Sequence, residues 1–207
     1  MTEDLLSGPS GPLLLPVKDA ELIYMESIEL PSEPAQLMAT FIRETPWRAE
    51  EVVVWGKRFP QPRLIAWYGD ENSSYAYSGI ALEPLPWTPI LLKLRQSVES
   101  LANCQFNSVL LNYYRDHRDS MGMHSDDEPE LGSKPTIASL SLGETRTLVF
   151  AHKSDRTVSG LKLPLKSGSL LIMKGLTQQN WKHGINKESR PCGARVNLTF
   201  RKINISL

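Results

Sequence analysis

The second half of the chain is written in short apolar runs of strand length. Phe106 to Tyr114, Thr136 to Leu142, Thr147 to Ala151, Gly168 to Met173 and Ala194 to Ile203 are alternating, aromatic or β-branched, and Gly, Pro, Ser and Asp separate them. The sharpest alternation is Arg195-Val196-Asn197-Leu198-Thr199-Phe200-Arg201, which sends Val196, Leu198 and Phe200 to one face and Arg195, Asn197, Thr199 and Arg201 to the other. Asn112 and Tyr114 share a face of their strand in the same way. The first half predicts two helices. Ser32-Glu33-Pro34 opens one, with Ser32 as cap and Leu37, Met38, Phe41 and Ile42 at helical spacing. Thr88-Pro89 opens the other, whose core stripe is Ile90, Leu91, Leu94, Val98 and Leu101. Between them the apolar run Val52-Val53-Val54 ends in a Trp55-Gly56 turn followed by Lys57 and Arg58. Residues 1–16 lack periodicity and predict a loose N-terminal arm; no linker or repeat divides residues 17–207. Two helices followed by many strands predict an α+β fold, a two-sheet barrel or jelly roll backed by helices.

Composition narrows the class. With 207 residues, 41% hydrophobic and 22% charged, the chain suits one globular domain. No apolar run reaches the roughly 18 residues of a membrane helix. The acidic start Met1-Thr2-Glu3-Asp4 and the brevity of Leu13-Leu14-Leu15 do not suit a signal peptide. An intracellular protein is expected, cytoplasmic in a bacterium or nuclear in a eukaryote. Cys104 and Cys192 match no metal or redox spacing and read as free thiols. Net charge is zero, which argues against a protein that simply coats nucleic acid, yet the charge is uneven. Residues 1–150 hold 12 Lys+Arg against 21 Asp+Glu, and residues 151–207 hold 11 against 2. The second stretch can present a basic face to a polyanion; a solvated basic surface is the alternative.

The candidate chemistry lies in that stretch and just before it. His124-Ser125-Asp126 puts an imidazole and a carboxylate on one face of an extended segment. His183 is the best third ligand, and two histidines with one carboxylate make the facial triad of non-haem iron(II) oxygenases. Such a set also holds zinc in hydrolases, although paired arginines have no use there. His117 and His152, flanked by charges, are expected at the surface. Arg195 and Arg201 have α-carbons about 20 Å apart at roughly 3.3 Å per residue. Strand twist and two long side chains can bring their guanidiniums to the ends of a small dicarboxylate, each gripping a carboxylate through paired hydrogen bonds. Asn112 and Tyr114 can offer an amide and a phenol to the same anion.

Taken together, Asn112-Tyr113-Tyr114, His124-Ser125-Asp126-Asp127-Glu128, His183 and Arg195 to Arg201 resemble the AlkB family of nucleic-acid dealkylating dioxygenases. The likeness runs from about residue 53 to 203, through Pro62-Arg63-Leu64, Trp67-Tyr68-Gly69-Asp70 and Tyr75 to Gly79, and is strongest to the branch of the second and third human homologues. It implies a double-stranded β-helix with a nucleotide-recognition lid over about residues 50–80 and a catalytic core over about 105–203. It implies iron(II) on His124, Asp126 and His183, and 2-oxoglutarate on Asn112, Tyr114, Arg195 and Arg201 with Asn197 in support. Which arginine takes which carboxylate stays open. The implied reaction uses dioxygen to convert 2-oxoglutarate to succinate and carbon dioxide while an N-methyl carbon of a 1-methyladenine or 3-methylcytosine type lesion is hydroxylated and lost as formaldehyde. A duplex base must be flipped to reach such a site. Tyr75, Tyr77, Trp67 and the His124 ring are expected around it, with Ser78 and Arg63 in support and Glu128 beside the lesion. Trp55 is expected as a wedge in the duplex, with Lys57 and Arg58 on phosphates. The expected partner is alkylated DNA, double- or single-stranded, or RNA, and the expected state is a monomer. Action on RNA or protein, or lesion binding without catalysis, remain the alternatives.

Overall fold

In the computed structural model, residues 11–54, 57–71, 75–77, 80–82 and 84–204 are described, with the backbone alone for 52–54, 57, 75–77 and 80–82. Alternation decides the architecture. On β15 (Arg195–Arg201) every residue is buried, with Val196, Leu198 and Phe200 in one apolar layer and the polar set on the opposite face. β8 (Ser108–Tyr114) does the same, sending Val109 and Leu111 to that layer and Leu110 and Tyr114 to a second one. A strand buried on both faces needs a cover on each side.

One cover is helical. α1 (Pro34–Glu44) buries Leu37 and Phe41, and α2 (Pro89–Ala102) buries Leu91, Leu94, Val98 and Ala102, against the outer face of a seven-stranded antiparallel sheet. Its order is β1 (Leu13–Leu15), β2 (Glu21–Met25), β13 (Leu170–Lys174), β10 (Ile137–Gly143), β15, β8 and β5 (Leu64–Gly69). The other cover is a four-stranded antiparallel sheet, ordered β12 (Leu161–Leu165), β11 (Arg146–His152), β14 (Trp181–Ile185) and β9 (Met121–His124). Between the sheets lies the inner core, with Leu110, Ile137, Leu148, Phe150, Leu171 and Trp181 among its members. Two hairpins, β3 (Glu51–Val54) with β4 (Lys57–Pro60) and β6 (Tyr75–Tyr77) with β7 (Ile80–Leu82), precede α2. The expected α+β jelly roll backed by helices is the fold observed.

Local departures have local causes. Thr88 caps α2 as expected, its hydroxyl accepting from the Leu91 N–H at 3.3 Å. Ser32 does not cap α1: Glu33 is the cap residue, without a side-chain bond, and Pro34 sets the start. On α2 the buried stripe steps from Val98 to Ala102, leaving Leu101 40% exposed. Of the arm read over residues 1–16, residues 1–10 lie outside the described residues, while Leu13–Leu15 pair with β2 and so depart from a loose arm. His152 is not a surface histidine. Its side chain is 4% exposed, its Nδ1 accepts from the Asp155 N–H at 2.9 Å, and its ring stands edge-on to Trp181.

Candidate active site

Register brings the two histidines together. β14 pairs with β9 so that His183 stands opposite His124, with ring centroids 4.5 Å apart. β9 ends at His124, so Asp126 reaches the pair from the loop that follows it. The ligand-type atoms of His124, Asp126 and His183 all lie within 4.8 Å of one another. His124 Nδ1 is 2.9 Å from the Gly122 carbonyl, which makes it the donor there and leaves Nε2 as a lone pair facing Asp126, 3.8 Å from Oδ1.

Electrostatics keeps these groups in the forms a cation needs. Burial works against the charged Asp126 carboxyl, but Arg201 and the two imidazoles hold it down at about 2. Burial, with His124 beside it, pushes His183 down to about 3, so its imidazole is neutral. Asp126 is 1% exposed, and its Oδ2 has no hydrogen-bond partner among the described residues. Two imidazoles, that of His183 held neutral, and a buried carboxylate with an unused oxygen fit a divalent transition metal.

The same cavity has a cationic, polar face. It is lined by His124, Asp126 and His183, by the inward side chains Arg195, Asn197, Thr199 and Arg201 of β15, and by Tyr114 and Ser139. Leu148, Leu165, Met173 and Ile185 supply apolar wall suited to methylene groups. Arg201 is engaged by Asp126, Nη2 donating to Oδ1 at 2.8 Å. Arg195 differs. It is 2% exposed, donates to the Ser141 hydroxyl at 2.9 Å and lies 5.1 Å from the Tyr114 ring centroid, and burial presses its guanidinium below the ordinary value. Its Nε and Nη1 have no hydrogen-bond partner, and, in contrast to Arg201, no carboxylate pairs with it, among the described residues. A buried cation without a counter-charge is costly unless a bound anion completes it.

The remaining expected residues fall into three groups. Asn197 is satisfied internally, donating to Ser139 Oγ and the Leu140 carbonyl and accepting from Thr199 Oγ1, so it braces the face. Asn112 stands opposite Asn197 in the sheet, and its Oδ1 accepts from Arg63 Nε at 2.8 Å, which puts Arg63 behind the anion face. Trp67 is buried in the inner core at 3% exposure. Glu128 lies just beyond Asp126, its Oε2 buried with no hydrogen-bond partner among the described residues. Arg58 is exposed on β4, 3.7 Å from Glu51. Trp55 and Ser78 lie outside the described residues, as do the side chains of Lys57, Tyr75 and Tyr77. Sequence reasoning missed Ser139, Ser141 and Gln178. The serines alternate on a strand it did read, whereas Gln178, whose Oε1 accepts from the Asp126 N–H at 3.0 Å, left no pattern.

Residues 22–201 match the 2OG-Fe(II) oxygenase superfamily. The mouse protein named alpha-ketoglutarate-dependent dioxygenase alkB homolog 3 is 43% identical over 189 residues, 87% of this chain and 65% of its own length. The human protein named DNA oxidative demethylase ALKBH2 is 43% identical over 158 residues, 73% of this chain and 60% of its own. Its Arabidopsis thaliana namesake is 31% identical over 210 residues, 89% of this chain and 67% of its own. The chain thus spans somewhat under two thirds of the mouse and human relatives. Among solved structures, that titled "The structure of OsALKBH1" shares the fold, with a TM-score of 0.57 at 16% identity over 87% of this chain and 96% of that one. A superfamily match that runs from β2 to β15, joined to relatives above 40% identity that carry alkB or ALKBH in their names, places the chain in the 2OG-Fe(II) oxygenase superfamily and, within it, in the AlkB family.

Proposed function

We propose that this chain is an iron(II)- and 2-oxoglutarate-dependent dioxygenase that removes alkyl groups from N-alkylated bases of DNA, with RNA as the second nucleic acid to test. The observation that carries the reading is the shared cavity: a two-histidine, one-carboxylate triad faces the same space as the buried, uncompensated Arg195. A zinc hydrolase has no use for that guanidinium; a chelating dicarboxylate does. The DNA substrate rests on the naming of the human relative as a DNA oxidative demethylase.

In this reading His124 Nε2, Asp126 and His183 hold the iron, whose chemistry with 2-oxoglutarate and dioxygen supplies the oxidising equivalents and belongs to the cofactor. Arg195, with Tyr114 beside it, takes the distal carboxylate, because its charge is unanswered. Arg201, already on Asp126, stands at the metal end, so the arginines divide the two ends of the dicarboxylate between them. Asn197 stiffens the face from within it through Ser139 and the Leu140 carbonyl, and Asn112, bonded to Arg63, braces it from the neighbouring strand. Glu128 offers its buried oxygen to the cationic lesion or its exocyclic amine. Tyr75, Tyr77 and the His124 ring would flank a flipped base, with Ser78 in support, while Trp67, packed in the inner core, and Arg63, bonded to Asn112, hold the wall behind them. Trp55, between paired Val54 and Lys57, would fill the gap in the duplex while Lys57 and Arg58 meet phosphates. Residues 17–207 form one catalytic domain in this account, with a lid at about 50–80 over a core at about 105–203. It works as a monomer in the cytoplasm or nucleus.

The test is anaerobic loading with iron(II) and 2-oxoglutarate, then air and an oligonucleotide carrying one 1-methyladenine, followed by mass spectrometry. Loss of one methyl group that needs both additions and vanishes in Asp126→Ala is expected. Succinate without demethylation would remove the substrate assignment. Neither product from verified folded protein would leave lesion binding without catalysis as the better reading.

A further inference from the structure

The carboxylate of the triad is the one ligand that no strand holds. Because β9 stops at His124, the place of Asp126 is set by what its loop is tied to. Those ties converge on the short helical turn α3 (Thr177–Asn180) and the first residue of β14. Ser125 Oγ donates to the Trp181 carbonyl at 2.9 Å, and the Asp126 N–H donates to Gln178 Oε1 at 3.0 Å. Lys153 Nζ donates to both Asp127 Oδ2 and the Gln178 carbonyl, at 2.8 Å each, while the Lys153 N–H donates to the Asn180 carbonyl.

Gln178 is 1% exposed, and among the described residues the far side of its amide finds only the Met173 sulfur, 3.5 Å from Nε2. A thioether is a weak acceptor, so as packing this amide is a poor choice and a methionine or leucine would serve better. What the amide does supply is an acceptor for the buried backbone N–H of the carboxylate ligand. Five residues further on, the same segment carries His183. One turn of chain therefore positions a carboxylate and an imidazole against each other.

We infer that Gln178, braced by Lys153, is a positioning residue that fixes Asp126 relative to His183 and thereby sets the metal affinity of the site. The inference rests on the reading that the triad holds a metal. Groups bonded behind metal ligands orient them, and losing one typically costs about 10- to 100-fold in affinity. The loop so held also carries Glu128, so the same clamp would orient the carboxylate assigned to the lesion.

The test titrates the metal-free full chain with cobalt(II), following its visible absorption bands, for the wild type, Gln178→Met, Lys153→Met and Asp126→Ala. Gln178→Met keeps the side-chain volume and removes the acceptor; it should weaken cobalt binding by about 10- to 100-fold and alter the band shape. The melting temperature of its metal-free form should stay within a few degrees of wild type. Lys153→Met, at a side chain 23% exposed, should shift affinity in the same direction by a smaller factor, and it carries the test where Gln178→Met does not fold. Wild-type affinity and band shape in both variants would overturn the inference. So would an affinity loss that merely follows a collapse of metal-free stability. Should the wild type bind no cobalt, or Asp126→Ala bind it equally well, the metal-site reading itself fails, which is a separate result.

Discussion

The two ends of β15 carry the same residue on the same face and do different things. At one end Arg201 lies against Asp126 at 2.8 Å, both side chains all but inaccessible to solvent. At the other, six residues away, Arg195 meets a serine hydroxyl and the face of Tyr114, with the Arg146 guanidinium 5.8 Å from that ring and no carboxylate among the described residues. Alternation delivered both cations to the interior; it did not determine what each would find there. Arg201 is neutralised by the protein and so belongs to the framework of the triad. Arg195 is left for something that binds. A protein tolerates an unanswered buried charge where a ligand supplies the answer.

The largest expected effect breaks the pair at the first end. Arg201→Met strips Asp126 of the guanidinium that holds its carboxyl low and leaves a buried charge uncompensated. Removing one partner of a buried pair costs about 3–5 kcal/mol, readable as a lower denaturant midpoint in the metal-free protein. A loss below about 1 kcal/mol would mean that water, rather than Arg201, answers Asp126, and the contrast between the ends would dissolve.

The next effect lies at the other end and has the opposite signature. Arg195→Met removes a cation that the protein itself does not neutralise, so the melting temperature should stay the same or rise. Affinity for 2-oxoglutarate should fall by about 2–5 kcal/mol, roughly 30- to several-thousand-fold, the cost of truncating one side of a buried charge pair. Isothermal titration with metal present separates the two quantities. A variant as destabilised as Arg201→Met but with normal 2-oxoglutarate affinity would reverse the roles assigned to the two arginines.

That contrast marks where sequence reading stops. The polar face of β15 was legible because period-2 alternation is a local property, and so was the partnership of His124, Asp126 and His183, through residue type and family resemblance. The pairing of Arg201 with Asp126 joins residues 75 apart, and no periodicity encodes it. β9 and β14 hold the histidines but are rich in Gly, Met, Lys and Trp rather than β-branched residues, so as strands they were silent. Gln178 was invisible because its value comes from one hydrogen bond across 52 residues. Even on a well-read helix such as α2, the choice of Ala102 over Leu101 for the core was made by the sheet beneath it. Pattern locates the elements; contacts between distant segments assign the tasks.

The smallest expected effect sharpens the comparison from outside. The β3–β4 hairpin presents Arg58 to solvent, far from the double burial of β15, and the connection between its paired residues Val54 and Lys57 carries Trp55. If that ring is the duplex wedge, Trp55→Ala should leave 2-oxoglutarate and cobalt affinity unchanged, since neither end of β15 is touched. It should also leave repair of a single strand near wild type, because an unpaired base needs no opening. Duplex repair alone should fall, by about tenfold, a fraction of the few kcal/mol that separating a base step demands. The informative quantity is the ratio of duplex to single-strand turnover, measured on the same lesion at fixed salt, because phosphate contacts from Lys57 and Arg58 would shift both substrates with ionic strength. An unchanged ratio would return Trp55 to ordinary packing and leave the proposed chemistry at β15 intact. A fall in both substrates together would instead assign the hairpin to general nucleic-acid affinity.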